Sequence, residues 1–78
     1  MAESYLTEDE QQLLAAIEHY IEKHNQFPTL SDVSNFGPSN PPRNIILLED
    51  LVEHEVLEEE LTTRDGKEVN VYSPVYLP

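Results

Sequence analysis

Apolar residues in this chain change their spacing once, from three- and four-residue steps up to about residue 54 to two-residue steps beyond it. That order demands helices first and a hairpin last, because the first spacing stripes one face of a helix and the second one face of a strand. Leu57 and Leu61 on one arm, and Val69 and Val71 on the other, stand at strand spacing around Arg64-Asp65-Gly66-Lys67. Asp-Gly is a preferred pair for a two-residue type I′ turn, whose central residues both take positive φ. With 78 residues the chain has room for one domain and one core.

Three capping signals divide the helical part. In Thr7-Glu8-Asp9-Glu10 the Thr7 hydroxyl accepts from a first-turn N–H while Glu10 reaches back to the cap. Leu13, Leu14, Ile17, Tyr20 and Ile21 then form one apolar stripe, with Lys23 and His24 at the end where the helix dipole favours cations. This predicts a helix over 8–24. Pro28 pushes Phe27 away from helical angles, and Thr29 with Asp32 caps a second helix over 30–36, carrying Leu30, Val33 and Phe36 and stopped by Gly37-Pro38. Ser39 or Asn40 caps a third helix from 41 to about 54, with Pro41 at its first position, where a missing N–H costs nothing. The expected fold is α+β, a small winged helix-turn-helix of three helices and a β-hairpin wing. Residues 1–6 are expected to be a flexible N-terminus, 7–73 the domain, and 74–78 a tail in which Pro74 and Pro78 limit any strand.

Charge narrows the function classes. The chain has 16 Asp plus Glu against 4 Lys plus Arg, a net charge of -12, so phosphate polymers and anionic membranes repel it on average. Hydrophobic residues, 38% of the chain, fall in periodic blocks, which separates it from disordered acidic tails. The absence of cysteine excludes disulfides, thiolate metal sites and cysteine nucleophiles. No apolar run approaches the roughly 18 to 20 residues that span a bilayer, and Met1 to Tyr5 lacks the basic and apolar regions of a secretory signal. The expected location is therefore the cytoplasm, with no membrane partner.

Neither metal nor catalysis is expected. His19 and His24 are five residues apart and do not share a helix face, while Asp50 and His54, at i and i+4, are expected to form a surface pair at a helix end. No nucleophile–base motif is present, and glycines at 37 and 66 alone make no phosphate loop, so no enzyme activity, cofactor or small-molecule substrate is expected. The aromatic residues Tyr5, Tyr20, Phe27, Phe36, Tyr72 and Tyr76 are not interleaved with cations as a stacking platform for single strands requires. Core and edge packing is their expected role, with Tyr76 and Leu77 covering the sheet edge or meeting a partner.

From Thr7 to Val56 about fifty residues carry a family likeness: Thr7, Gln11-Gln12, Ile17, His19, Phe27-Pro28-Thr29, Val33, Gly37, Asn40-Pro41, Leu48, Leu51 and Val56-Leu57. In these the chain resembles the N-terminal winged-helix domain of LexA-type SOS repressors. The resemblance implies a third helix in the DNA major groove and a wing on the backbone, with Arg43 and Asn44 at base edges and Arg64 and Lys67 at phosphates. The chain departs from the family in four places. Its second helix is one residue shorter, and the start of the third, Asn40-Pro41-Pro42-Arg43-Asn44-Ile45-Ile46-Leu47, carries apolar residues where the family has polar ones. Glu55 replaces a glycine before the wing, where a left-handed cap would be strained. With its last residue, Pro78, near the wing, the chain is expected to lack the family's self-cleaving, dimerising domain.

With Leu48 at the core centre, Asn44, Ile45, Leu51 and Val52 fall within roughly 60° of it and Ile46 about 160° away. The outer sector then holds Arg43, Glu49, Asp50 and Glu53, with His54 at its edge and Leu47 on its flank. Exposed Ile46 and Leu47 among the carboxylates of Glu49, Asp50 and Glu53 suit an interface with an apolar centre and a charged rim. The leading expectation is a non-catalytic regulatory adaptor that binds a protein, either basic or a second copy, through these five residues. A sequence-specific DNA-binding regulator using Arg43, Asn44, Arg64 and Lys67 is the alternative, and a DNA-mimicking inhibitor the third.

Overall fold

A computed structural model describes residues 6–75, in the order α1 (Glu8–His24), α2 (Leu30–Phe36), α3 (Pro41–Glu53), β1 (Leu57–Arg64) and β2 (Lys67–Pro74). The fold is α+β, three helices followed by an antiparallel two-stranded hairpin. Each helix starts where a side chain meets the orphan N–H groups of its first turn. The Thr7 hydroxyl accepts from the Glu10 N–H at 3.2 Å while Glu10 accepts from the Thr7 N–H at 2.9 Å. Thr29 and Asp32 repeat this exchange at 3.2 and 3.1 Å. Asn40 accepts from the Arg43 N–H at 2.9 Å, with Pro41 opening α3.

The end of α3 comes one residue before the expected boundary. His54 is its C-cap, Glu55 follows at φ 61, and the N–H groups of Glu55 and Val56 reach the carbonyls of Val52 and Leu51, each at 3.0 Å. This is a Schellman closure, which normally places glycine at the left-handed position. The hairpin turns as its residues require, with Asp65 at φ 55 and Gly66 at φ 77 between the paired Arg64 and Lys67.

Register divides the strand residues between two faces. Leu57 faces Pro74, Glu59 faces Tyr72 and Leu61 faces Asn70, so these six share one side of the hairpin. Val69 and Val71 pair with Thr62 and Glu60 on the other. The four apolar residues that the sequence spacing singles out therefore do not form one stripe. Along β2, Val71 also forms a bridge with Thr29, and the Tyr72 N–H donates to the Pro28 carbonyl at 3.0 Å.

One core gathers Leu13 and Ile17 from α1, Val33 from α2, Leu47, Leu48 and Leu51 from α3, and Leu57 and Tyr72 from the hairpin. Leu47, expected on the flank of the exposed face, is 1% exposed and belongs to this core. The buried arc of α3 is centred on Asn44 and Leu51, roughly 50° from Leu48, which carries Leu47 inward and leaves Val52 half-buried. The domain also extends past its expected limits. Leu6 packs into the core, and Pro74 is a buried strand residue rather than tail, tolerated at the strand end where its missing N–H breaks no ladder. The expectations for residues 1–5 and for Tyr76, Leu77 and Pro78 lie outside the described residues.

Candidate functional site

Five side chains share the outer face of α3. Measured from Ile46, Asp50 and Glu53 lie within about 40° around the helix, and Arg43 and Glu49 at about 60°. Ile46 is 47% exposed, Glu49 and Glu53 are exposed and Asp50 is half-buried. Of the expected interface, Ile46, Glu49, Asp50 and Glu53 thus share one surface, and Leu47 does not.

Glu49 and Glu53, at one side of that surface, border a cleft of about 340 Å³ between α3, the start of α2 and the hairpin. Leu30, Leu48, Val52 and Tyr72 line it, with Glu49, Glu53, Glu59 and Asn70. Within it the Tyr72 hydroxyl donates to Glu59 Oε2 at 2.7 Å. Burial, then the bond to Glu59, then the charges of Glu59 and Glu49 push the Tyr72 phenol above its ordinary value, so it remains a protonated donor. Leu30, Val52, Glu59 and Tyr72 are absent from the sequence-derived surface. The signal for the Glu59–Tyr72 pair was nonetheless present, since counting outward from a two-residue turn at Asp65-Gly66 sets residue 59 opposite residue 72.

The residues expected to touch DNA are not presented together. Arg43 is exposed in the first turn of α3 and Lys67 is exposed beside the hairpin turn. Asn44 is 0% exposed. Its Nδ2 donates to the carbonyls of Ser34 and Ser39 at 2.9 and 3.0 Å, and its Oδ1 accepts from the Ser39 N–H at 2.9 Å. An amide committed to the turn between α2 and α3 cannot meet a base edge, which removes it from the expected set. Arg64 is half-buried and donates from Nη2 to the Phe27 carbonyl at 2.8 Å, so its group is engaged within the domain rather than held out for phosphate.

Asp32 sits near that anchor. Partial burial disfavours its charge, yet the Thr29 N–H, the Tyr20 hydroxyl, the Thr29 side chain and the Arg64 charge outweigh burial and hold its carboxyl below the ordinary value. A second, shallower hollow of about 260 Å³ collects His19, Lys23 and His24 beside Tyr20 and Phe36. His24 and Phe36 have ring centroids 4.4 and 5.4 Å from that of Tyr20. His19 and His24, about 140° apart on α1, line this hollow together. Among the described residues no three His, Asp or Glu side chains converge as metal ligands, and no helix is long and apolar enough to cross a membrane. Compared with known proteins, the chain matches no family model, no curated protein and no solved structure.

Proposed function

We propose that this chain is a non-catalytic, winged-helix-like regulatory adaptor of the cytoplasm that binds a basic protein partner through the outer face of α3 and the adjoining hairpin. The observation that carries this reading is the cleft, whose apolar floor lies among Glu49, Glu53 and Glu59, with exposed Ile46 on the same helix beyond those carboxylates. Apolar area left open to water is stabilised by a partner that covers it, at about 25 cal/mol per Å², and carboxylates around it select the charge of that partner.

Binding to a duplex rests on the opposite electrostatics. Affinity for DNA comes largely from phosphate neutralisation by Lys and Arg. Here Asn44 and Arg64 are committed to internal bonds, and Glu49, Asp50 and Glu53 occupy the face that would enter the groove. Exposed Arg43 and Lys67, together with the repressor resemblance, support the second reading, a LexA-like DNA-binding regulator.

The test uses the full chain immobilised in lysate of its source cell. Ile46→Asp and a triple reversal of Glu49, Asp50 and Glu53 to Lys are expected to release the captured protein, and the reversal to slow its association. A partner held equally by all three proteins would exclude this surface. Low-salt retardation of mixed genomic fragments, fading steeply with salt and lost in Arg43→Ala, would instead install the DNA reading.

A further inference from the structure

The cleft between α3 and the hairpin specifies more than an acidic partner. Its floor comes from three elements: Leu48 and Tyr72, 1% and 5% exposed, half-buried Val52, and Leu30, which is 40% exposed. Glu49 and Glu53 stand one turn apart on α3, Glu59 stands on β1, and among the described residues no Lys, Arg or His lines the cleft. Glu59 is fixed on one oxygen by the Tyr72 hydroxyl, and its second oxygen accepts no bond among the described residues. At about 340 Å³ the cleft falls at the small end of the roughly 300–1,000 Å³ typical of ligand pockets, suiting one side chain rather than a helix.

We propose that this cleft receives an arginine side chain from the basic partner, its aliphatic stem on Leu30, Leu48 and Val52 and its guanidinium between Glu59 and the Glu49–Glu53 pair. The inference rests on the partner-binding reading above and names the residue that reading requires. An apolar floor beneath carboxylates matches a side chain with an apolar stem and a charged head. Arginine fits better than lysine, because its planar fork of five donors spans separated carboxylates and it gives up its hydration more readily. A free metal cation would leave the Leu30 and Val52 surface uncovered.

The experiment titrates the isotope-labelled full chain with acetyl-Ala-Leu-Arg-Leu-Ala-amide at moderate salt and follows the backbone amides by NMR. Saturable shifts are expected at Glu49, Val52, Glu53, Glu59, Asn70 and Tyr72, with Kd on the order of 1 mM for so short a probe. The same peptide with citrulline, which keeps the shape and loses the charge, should bind about tenfold more weakly, a difference of about 1.4 kcal/mol. Glu59→Gln should weaken binding several-fold. Glu60→Gln removes the same charge one residue along, on the opposite face of β1, and should leave binding unchanged. Tyr72→Phe should also weaken it, by freeing Glu59 to rotate.

Equal effects of Glu59→Gln and Glu60→Gln, equal binding of the citrulline peptide, or no saturable shift at several millimolar peptide would each overturn the arginine site. Failure here is separable from failure of the broader reading. A captured partner that Ile46→Asp releases and Glu59→Gln does not leaves the adaptor standing without its arginine cleft.

Discussion

Asn44 and Glu55 show how much of this domain is decided by single residues. The Asn44 amide joins the Ser34 carbonyl near the end of α2 to both backbone groups of Ser39 in the following turn, so it holds the helix-turn-helix angle from inside. A Cβ at Gly37 would overlap that amide, although Gly37 has an ordinary φ of -64, so the glycine is required by close approach and not by conformation. Asn44→Ala removes three hydrogen bonds at the turn, to half-buried Ser34 and exposed Ser39, each with a net contribution of about 0.5–1.5 kcal/mol. A loss of about 2–4 kcal/mol is expected in urea unfolding, and a loss under 1 kcal/mol would show the turn to be held by other contacts. The helix phase of Asn44 was legible in the sequence and set it near the core. Its hydrogen bonds were not, and the repressor resemblance assigned it to DNA instead. At Glu55 the same resemblance was informative, since it marked a glycine position and the residue does lie at φ 61. Left-handed backbone costs a non-glycine residue about 1–2 kcal/mol, partly offset by the greater chain entropy of glycine. Glu55→Gly is therefore expected to stabilise the domain by about 0.5–1 kcal/mol, seen as a raised thermal midpoint.

At the scale of elements, what could be read was whatever local chemistry determines. The Thr7, Thr29 and Asn40 caps, Pro41 and the Asp65-Gly66 turn place five elements with one boundary displaced by a residue. What could not be read depends on how elements meet: the rotation of α3 that buries Leu47, and the cleft formed where Leu30, Val52 and Tyr72 converge from three elements. Contacts between elements also make stability depend on pH. Asp32 caps α2 through Thr29, accepts from the Tyr20 hydroxyl at 3.0 Å and feels the Arg64 charge, so it couples α1, α2 and β1. Its carboxyl titrates lower in the folded chain than the 3.8 of an unperturbed aspartate. The unfolded chain therefore takes up this proton first as pH falls. The stabilisation is complete above the unfolded value and is lost as pH descends through the folded one. Asp32→Asn keeps an acceptor for the cap and removes the titration. Urea midpoints between neutral pH and pH 3 should fall less steeply for the variant than for the parent chain, and parallel slopes would remove Asp32 from the acid response.

Over the whole molecule, a net charge of -12 is spread on 78 residues, with a radius of gyration of only 11.8 Å over the Cα atoms. Folding brings those carboxylates together, and a chain this short buries only about 60% of its unfolded surface, so the opposing stabilisation is modest. Salt should then act on the free domain and on its complex with opposite sign. Between about 0.01 and 0.15 M ionic strength the Debye length shrinks from roughly 30 to 8 Å, which screens repulsion among Glu49, Glu53, Glu58, Glu59 and Glu60. Relief of about 1 kcal/mol corresponds to about 4–8 °C in the thermal midpoint for a domain of this size. The same screening weakens the pull of that surface on a cationic partner, and the loss should lie mainly in the association rate. Scanning calorimetry of the free chain and association kinetics with the captured partner, over one salt series, test the two halves together. A thermal midpoint that falls with salt would show the carboxylates to be stabilised by pairing instead of opposed by repulsion. An association rate indifferent to salt would mean that the partner recognises the apolar floor and Ile46 without regard to the charge around them.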